Sequence, residues 1–240
     1  MPAVSEDADV VTSSDAYARR FAGGVGRFFL ERQAEAVLEL VRPWPRASVL
    51  DVGGGHGQVT GPLVEAGYAV SVLGSDPACE ARVSEWTRSG RARFLAADLL
   101  APGLPERSFD VVLSLRLLPH VRRVHDLVAT LARLAKTAVV VDYPTSRSVN
   151  ALSGPLFGLK QGVEGDTRPF TVFSDSEIEA AFADHGFRPA ARRPQFFLPM
   201  ALYRALGSAG VARASEGAMR ALGLTRAFGS PVVLRLERRG

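Results

Sequence analysis

Cysteine is nearly absent from this 240-residue chain, which contains only Cys79. A single thiol excludes an internal disulfide framework and any zinc site built on cysteine ligands. Lysine is almost as scarce: of 29 basic residues only Lys136 and Lys160 are lysines, and the rest are arginines. Long apolar runs are missing too, since no stretch approaches the ~20 residues that a membrane-spanning helix needs. Residues 1–14 are acidic and polar with no apolar core, so no secretory leader is expected and the cytoplasm is the expected compartment.

The net charge of +4 and the pI near 9.7 raise the question of a polyanionic partner. The arginines are scattered, however, and pairs such as Arg19-Arg20, Arg122-Arg123 and Arg192-Arg193 suit solvated helix faces or ends. That distribution disfavours nucleic acid. At 47% hydrophobic and 22% charged, the chain reads as one soluble α/β domain with a small elaboration.

The apolar pattern sets the organisation. After a disordered start (1–14), residues 15–41 read as helical, broken at Gly23-Gly24-Val25-Gly26 and closed by Pro43 and Pro45. Strands are expected at 49–52, 69–73, 93–96, 109–115 and 138–142. They are continuous apolar runs, as parallel strands covered on both faces require. Helices are expected between them at 58–66, 77–89 and 122–135. A capping-box spacing, Ser174 to Glu177, opens a further helix. Two last strands, within 188–197 and at 231–237, enclose two short helices at 200–206 and 211–222.

The most informative stretch is Val49-Leu50-Asp51-Val52-Gly53-Gly54-Gly55-His56-Gly57. A buried strand that breaks into a glycine turn before a helix brings backbone N–H groups close to a ligand. The dinucleotide fingerprint G-x-G-x-x-G fails here: it needs glycine at 58 or 60, which are Gln58 and Thr60. The spacing is D-x-G-x-G-x-G, with an acid ahead of Gly53, Gly55 and Gly57. It resembles the nucleotide loop of class I S-adenosylmethionine (SAM)-dependent methyltransferases. A carboxylate suits a ligand that carries a sulfonium, an ammonium and no phosphate. A glycine-rich turn of another α/β protein is the competing reading of this loop alone.

The resemblance extends over residues 49–142. It implies a Rossmann-like seven-stranded sheet, order 3-2-1-4-5-7-6 with the seventh strand antiparallel, helices on both faces and a small helical cap. It implies SAM as cofactor, held by Asp51 and the glycines. Asp76, followed by Pro77 and lying 25 residues after Asp51, would bind the ribose hydroxyls. The alternative is an Asp-Pro turn capping the next helix. Asp98 would accept from the adenine amine with Leu99 beside it, or else simply end the third strand. Ser114 and Arg116 fall where the family places the methionine moiety and the acceptor. His120 resembles a histidine found there in small-molecule enzymes, as a general base or as a helix-orienting group. Tyr17 and Arg20 would close over the cofactor.

Narrower subclasses are tested by absence. Amino-methylating DNA enzymes need a Pro-Pro segment after the fourth strand, where Ser114-Leu115-Arg116-Leu117 stands. Cytosine-C5 enzymes need a cysteine there, and Cys79 follows the second strand. The acids of metal-dependent catechol-type enzymes are missing, so no metal is expected. The acceptor is expected to be a small apolar or aromatic metabolite. Its site is expected to involve Arg116, Tyr143, Phe157, Phe170, Phe196, Phe197 and Met200, between the N-terminal helices (15–46), the 146–168 loop and a helical insertion at 198–228. The division is 47–145 for SAM and 146–240 for substrate, in one domain spanning 15–240. Aromatics that only pack the extra helices are the bland alternative, and peripheral membrane contact is the less favoured one. The rivals from other classes are an inactive SAM-binding regulatory domain and an NAD(P)-dependent oxidoreductase.

Overall fold

Apolar β-branched runs bounded by glycine, proline and aspartate build the centre of the molecule. A computed structural model describes residues 6–148 and 170–240. Its strands are β1 (Ser48–Val52), β2 (Ala69–Gly74), β3 (Ala92–Ala96), β4 (Phe109–Ser114), β5 (Ala135–Tyr143), β6 (Phe187–Phe196) and β7 (Ser230–Arg238). They form one sheet in the order 3-2-1-4-5-7-6, as expected. β1 to β5 pair in parallel, and β7 runs antiparallel between β5 and β6. Order reverses beside β1 and β4, and in such sheets ligands lie beyond the carboxyl ends of the strands at that point.

Alternation along the strands divides the core in two. Leu50, Val52, Val112, Val139 and Val141 pack with helices α6 (Val124–Leu134) and α7 (Asp175–Ala183). Val49, Val111, Leu113 and Val140 pack on the other face against α3 (Gly23–Val41) and α4 (Thr60–Glu65). Ser174 and Glu177 cap α7 reciprocally, as their spacing predicts. The remaining helices are α1 (Ala8–Thr12), α2 (Asp15–Arg19), α5 (Ser84–Arg88), α8 (Met200–Leu206), α9 (Ala209–Ala221) and α10 (Leu224–Phe228). None among the described residues is long and apolar enough to cross a membrane.

Three expectations change. Residues 8–12 form α1 instead of disordered chain, with Ala8 and Asp9 wholly buried. Asp9 and the preceding Glu6 accept from backbone N–H groups elsewhere in the fold. The helices expected at 58–66 and 77–89 are shorter: a 3-10 turn (Gly54–His56) precedes α4, and a 3-10 stretch (Pro77–Arg82) precedes α5. The insertion holds three helices, because Gly223, in the left-handed region at φ 75°, ends one and starts α10.

The insertion rests on α3 and β6 through interlocked rings. Phe28, Phe29, Phe196 and Tyr203 lie 5.1–6.5 Å apart between centroids, mostly edge to face, and all are fully buried. Such pairs add about 0.5–1.5 kcal/mol each beyond burial. The aromatic density noted around residues 196–203 therefore serves here as a satellite core.

Candidate active site

Asp51 is the penultimate residue of β1, with its carboxylate folded over the glycine turn. A Cβ on Gly54 would stand 2.2 Å from Asp51 Oδ2, so only glycine admits this arrangement. Gly53 and Gly57 take φ of 74° and 70°, the left-handed region that side chains disfavour. Gly53 N–H also donates to Leu73 O at the end of β2 (2.8 Å), fixing the turn to the sheet. Both Asp51 carboxylate oxygens are buried without a hydrogen-bond partner among the described residues. Burial, with the nearby Asp142 carboxylate adding to it, pushes the Asp51 pKa up to about 7. A desolvated, unpaired carboxylate is a costly arrangement in a folded chain, and one that a bound cation relieves.

The segment after β4 is held to the same place. Arg116 adopts φ 57°, rare for a residue with a side chain, and its N–H donates to Asp142 Oδ1 at 2.5 Å. Burial raises the Asp142 pKa, while Arg116 opposes that shift. The Arg116 guanidinium lies 4.4 Å over the Phe21 ring and donates through Nε to Gln33 Oε1 (3.0 Å). Its Nη2 and the Gln33 Nε2 are buried and unpartnered among the described residues. His56 sits beneath the loop, where Gln58 N–H donates to its Nδ1 (3.2 Å). The tautomer that fits carries hydrogen on Nε2, which then donates to Leu115 O (3.3 Å). Burial first, then the Arg116 charge, lowers the His56 pKa to about 4, so the ring is a neutral strut at neutral pH.

The other expected residues divide. Asp76 is exposed at the end of β2 and accepts from Ala78 N–H (2.7 Å), the capping role weighed as its alternative, with Pro77 exposed beside it. Asp98 is half-buried and accepts from Leu100 N–H (2.9 Å), while Leu99 is fully buried. Ser114 is buried and donates to Val52 O (3.2 Å). Tyr17 is half-buried against Phe21, and Arg20 lies exposed over the Tyr17 ring. His120 is half-buried, with its ring 5.6 Å from that of Phe170, itself half-exposed.

On the acceptor side, Tyr143 is fully buried in the core, and its hydroxyl donates to Asp175 (2.8 Å). That places it away from any open surface. Phe196 is likewise enclosed, whereas Phe197 and Met200 are half-buried beside the satellite core. Phe157 lies outside the described residues. Sequence reading missed Gly54, His56, Gln33 and Asp142. Only Gly54 carried a local signal, as a fourth glycine in the turn.

Comparison with known proteins accords with this geometry. The methyltransferase domain family matches residues 18–211. The chain belongs to that family, and its sheet and glycine turn are those of class I, SAM-dependent methyltransferases. Among solved structures it resembles magnesium protoporphyrin IX methyltransferase from Synechocystis PCC 6803 with bound S-adenosylhomocysteine. The TM-score is 0.68 at 16% identity, over 96% of this chain and 98% of that one. Geranyl diphosphate methyltransferase in complex with GPP and sinefungin gives 0.60 at 17% identity, over 87% and 78%. The [4+2]-cyclase SpnF gives 0.60 at 17% identity, over 86% and 80%. No curated protein sequence matches. The chain's residues fit the cofactor of this class at Asp51, where an ammonium would supply the donors and counter-charge that both carboxylate oxygens lack among the described residues.

Proposed function

We propose that this protein transfers the methyl group of SAM to a small apolar or aromatic metabolite in the cytoplasm, without a metal. The observation that carries the reading is the orphaned, buried Asp51 carboxylate at the glycine turn. Asp51 would hold the ammonium and Asp76 the ribose hydroxyls, with Asp98 and Leu99 at the adenine. When bound, SAM supplies an activated methyl carbon, so the chain's own task is to position the acceptor and exclude water.

His120 and Phe170 form an aromatic pair that suits a flat or apolar acceptor. For a hydroxyl acceptor, His120 would take the proton. The likeness to enzymes named for a protoporphyrin and for geranyl diphosphate supports an apolar acceptor. The N-terminal helices and the insertion would shape its site. A SAM-binding domain without turnover is the second reading, favoured by one observation: α1 packs directly on the glycine turn.

Calorimetry with SAM and with NADH on the purified protein tests the cofactor. SAM should bind at micromolar concentration, and Asp76→Ala should weaken it about tenfold or more, since a carboxylate–hydroxyl pair is lost. Tighter binding of NADH than of SAM would sink the proposal. His120→Ala should lower turnover about 10²–10⁴-fold while leaving SAM affinity unchanged, as for removal of a positioned base. Near-native turnover would leave His120 an orienting role only.

A further inference from the structure

The N-terminal segment lies against the glycine turn and the residue before Asp76, where this reading places the cofactor. Asp9, wholly buried, accepts from Ser75 N–H (2.7 Å) and from the Ser75 hydroxyl at the end of β2, and from the Cys79 thiol (3.6 Å). Ala8, also wholly buried, joins the cluster that contains Leu73, Leu99, Leu117 and Leu118. Ser13 Oγ lies 2.5 Å from where a Cβ on Gly55 would stand. The segment thus meets the glycine turn and the residue after β2, two of the places assigned to the cofactor, and Ala8 shares a buried cluster with Leu99, which follows β3. Two groups cannot share that volume.

The segment is built to leave. α1 has five residues, too few to be stable as an isolated helix, so its order depends on the crevice. Apart from the buried Ala8, its anchors are polar. Glu6 accepts from Arg122 N–H (3.1 Å), Arg82 Nε donates to Ser13 O (2.8 Å), and Arg82 also pairs with the exposed Asp15. Val10 and Val11 on its outer side are 40% and 38% exposed, so among the described residues no second layer holds it down.

We infer that residues 6–15 form an autoinhibitory plug that competes with SAM for the adenosine crevice, with Asp9 as its lock. The inference rests on the cofactor assignment above. The closed form lowers the apparent affinity in proportion to its population, so weakening the plug must tighten binding.

The test uses the full chain and S-adenosylhomocysteine as the probe. By calorimetry, Asp9→Ala, which loses the lock, and Ala8→Arg, which no longer fits its buried place, should each bind about tenfold or more tightly than the native protein. In the native protein the probe should also speed hydrogen exchange at the amides of residues 8–13. Unchanged or weaker binding by both variants would overturn the plug, and so would slowed exchange, the mark of a segment that closes over the cofactor instead. In those cases the cofactor reading stands, because the native protein binds the probe. Failure of the native protein and both variants to bind it would remove the cofactor reading, and the plug with it.

Discussion

Asp51→Asn is expected to bind SAM about a hundredfold more weakly than the native protein, because removing one partner of a buried charge pair costs several kcal/mol. The same variant should melt higher. In the native fold the Asp51 carboxyl, desolvated and close to Asp142, holds its proton up to about pH 7, against an ordinary value of 3.8. Between those values the folded state binds more protons than the unfolded one, so stability falls as pH rises through that window. A shift of this size is worth on the order of 2–4 kcal/mol at neutral pH. Replacing the carboxylate with an uncharged isostere should recover about half of that, which for a domain of this length means a melting temperature about 5 °C higher.

Affinity should move the opposite way with pH. The ammonium needs the ionised carboxylate, so SAM binding should weaken by up to about tenfold per unit as pH falls below 7. Asp51→Asn should flatten that dependence. Calorimetry from pH 5 to 8, with thermal melts of both proteins, measures all three effects. A native affinity that ignores pH, or a variant that melts lower, would mean that Asp51 is not the cation site.

Glu216→Ala should destabilise the protein by about 3–5 kcal/mol, the usual effect of removing one member of a buried charged network. Glu216 is wholly buried in α9 and ties four elements together. It accepts from Phe197 N–H after β6 (3.0 Å), from the Tyr203 hydroxyl of α8 (2.8 Å) and from the Thr225 hydroxyl of α10 (2.6 Å), with Arg220 Nε at 3.5 Å. Alanine would leave three buried donors unpaired. Burial and the Glu216 carboxylate already push the Tyr203 pKa up to about 12. Glu216→Gln, which keeps the shape and one acceptor, should lose less. Denaturant titrations of the two variants decide the matter, and a loss within about 1 kcal/mol for alanine would show that the insertion is held by its rings alone.

The sheet was legible because its signals are local. Five largely apolar runs, most of them ended by an acid or a glycine, define parallel strands wherever they later pack. The glycine spacing is equally local, since a turn of φ near +70° needs glycine whatever surrounds it. Asp51, Asp76 and Asp98 could be placed at successive strand ends by counting. Their present partners could not: Ala78 N–H and Leu100 N–H compete with a ligand for the carboxylates of Asp76 and Asp98, and nothing in the run of letters ranks the two uses.

The long-range contacts were not legible. Residues 6–14 are polar and short of apolar periodicity, which reads as disorder, yet Asp9 and Ala8 are buried because Ser75, 66 residues away, offers a backbone donor. The aromatic residues of the insertion read equally well as a pocket or as packing, and the positions of Phe28 and Phe29 on α3 decided for packing in the case of Phe196 and Tyr203. The Arg116–Asp142 and Glu216 bonds likewise join separate elements. By itself, then, the sequence determined the strand positions and the glycine turn, because these follow from hydrophobic period and backbone sterics over a few residues. The strand order and the class of cofactor came from its resemblance to the class I methyltransferases. Only the tertiary structure decided which carboxylate stands unpaired and what fills the crevice, because burial and hydrogen-bond satisfaction depend on which distant groups the fold brings together.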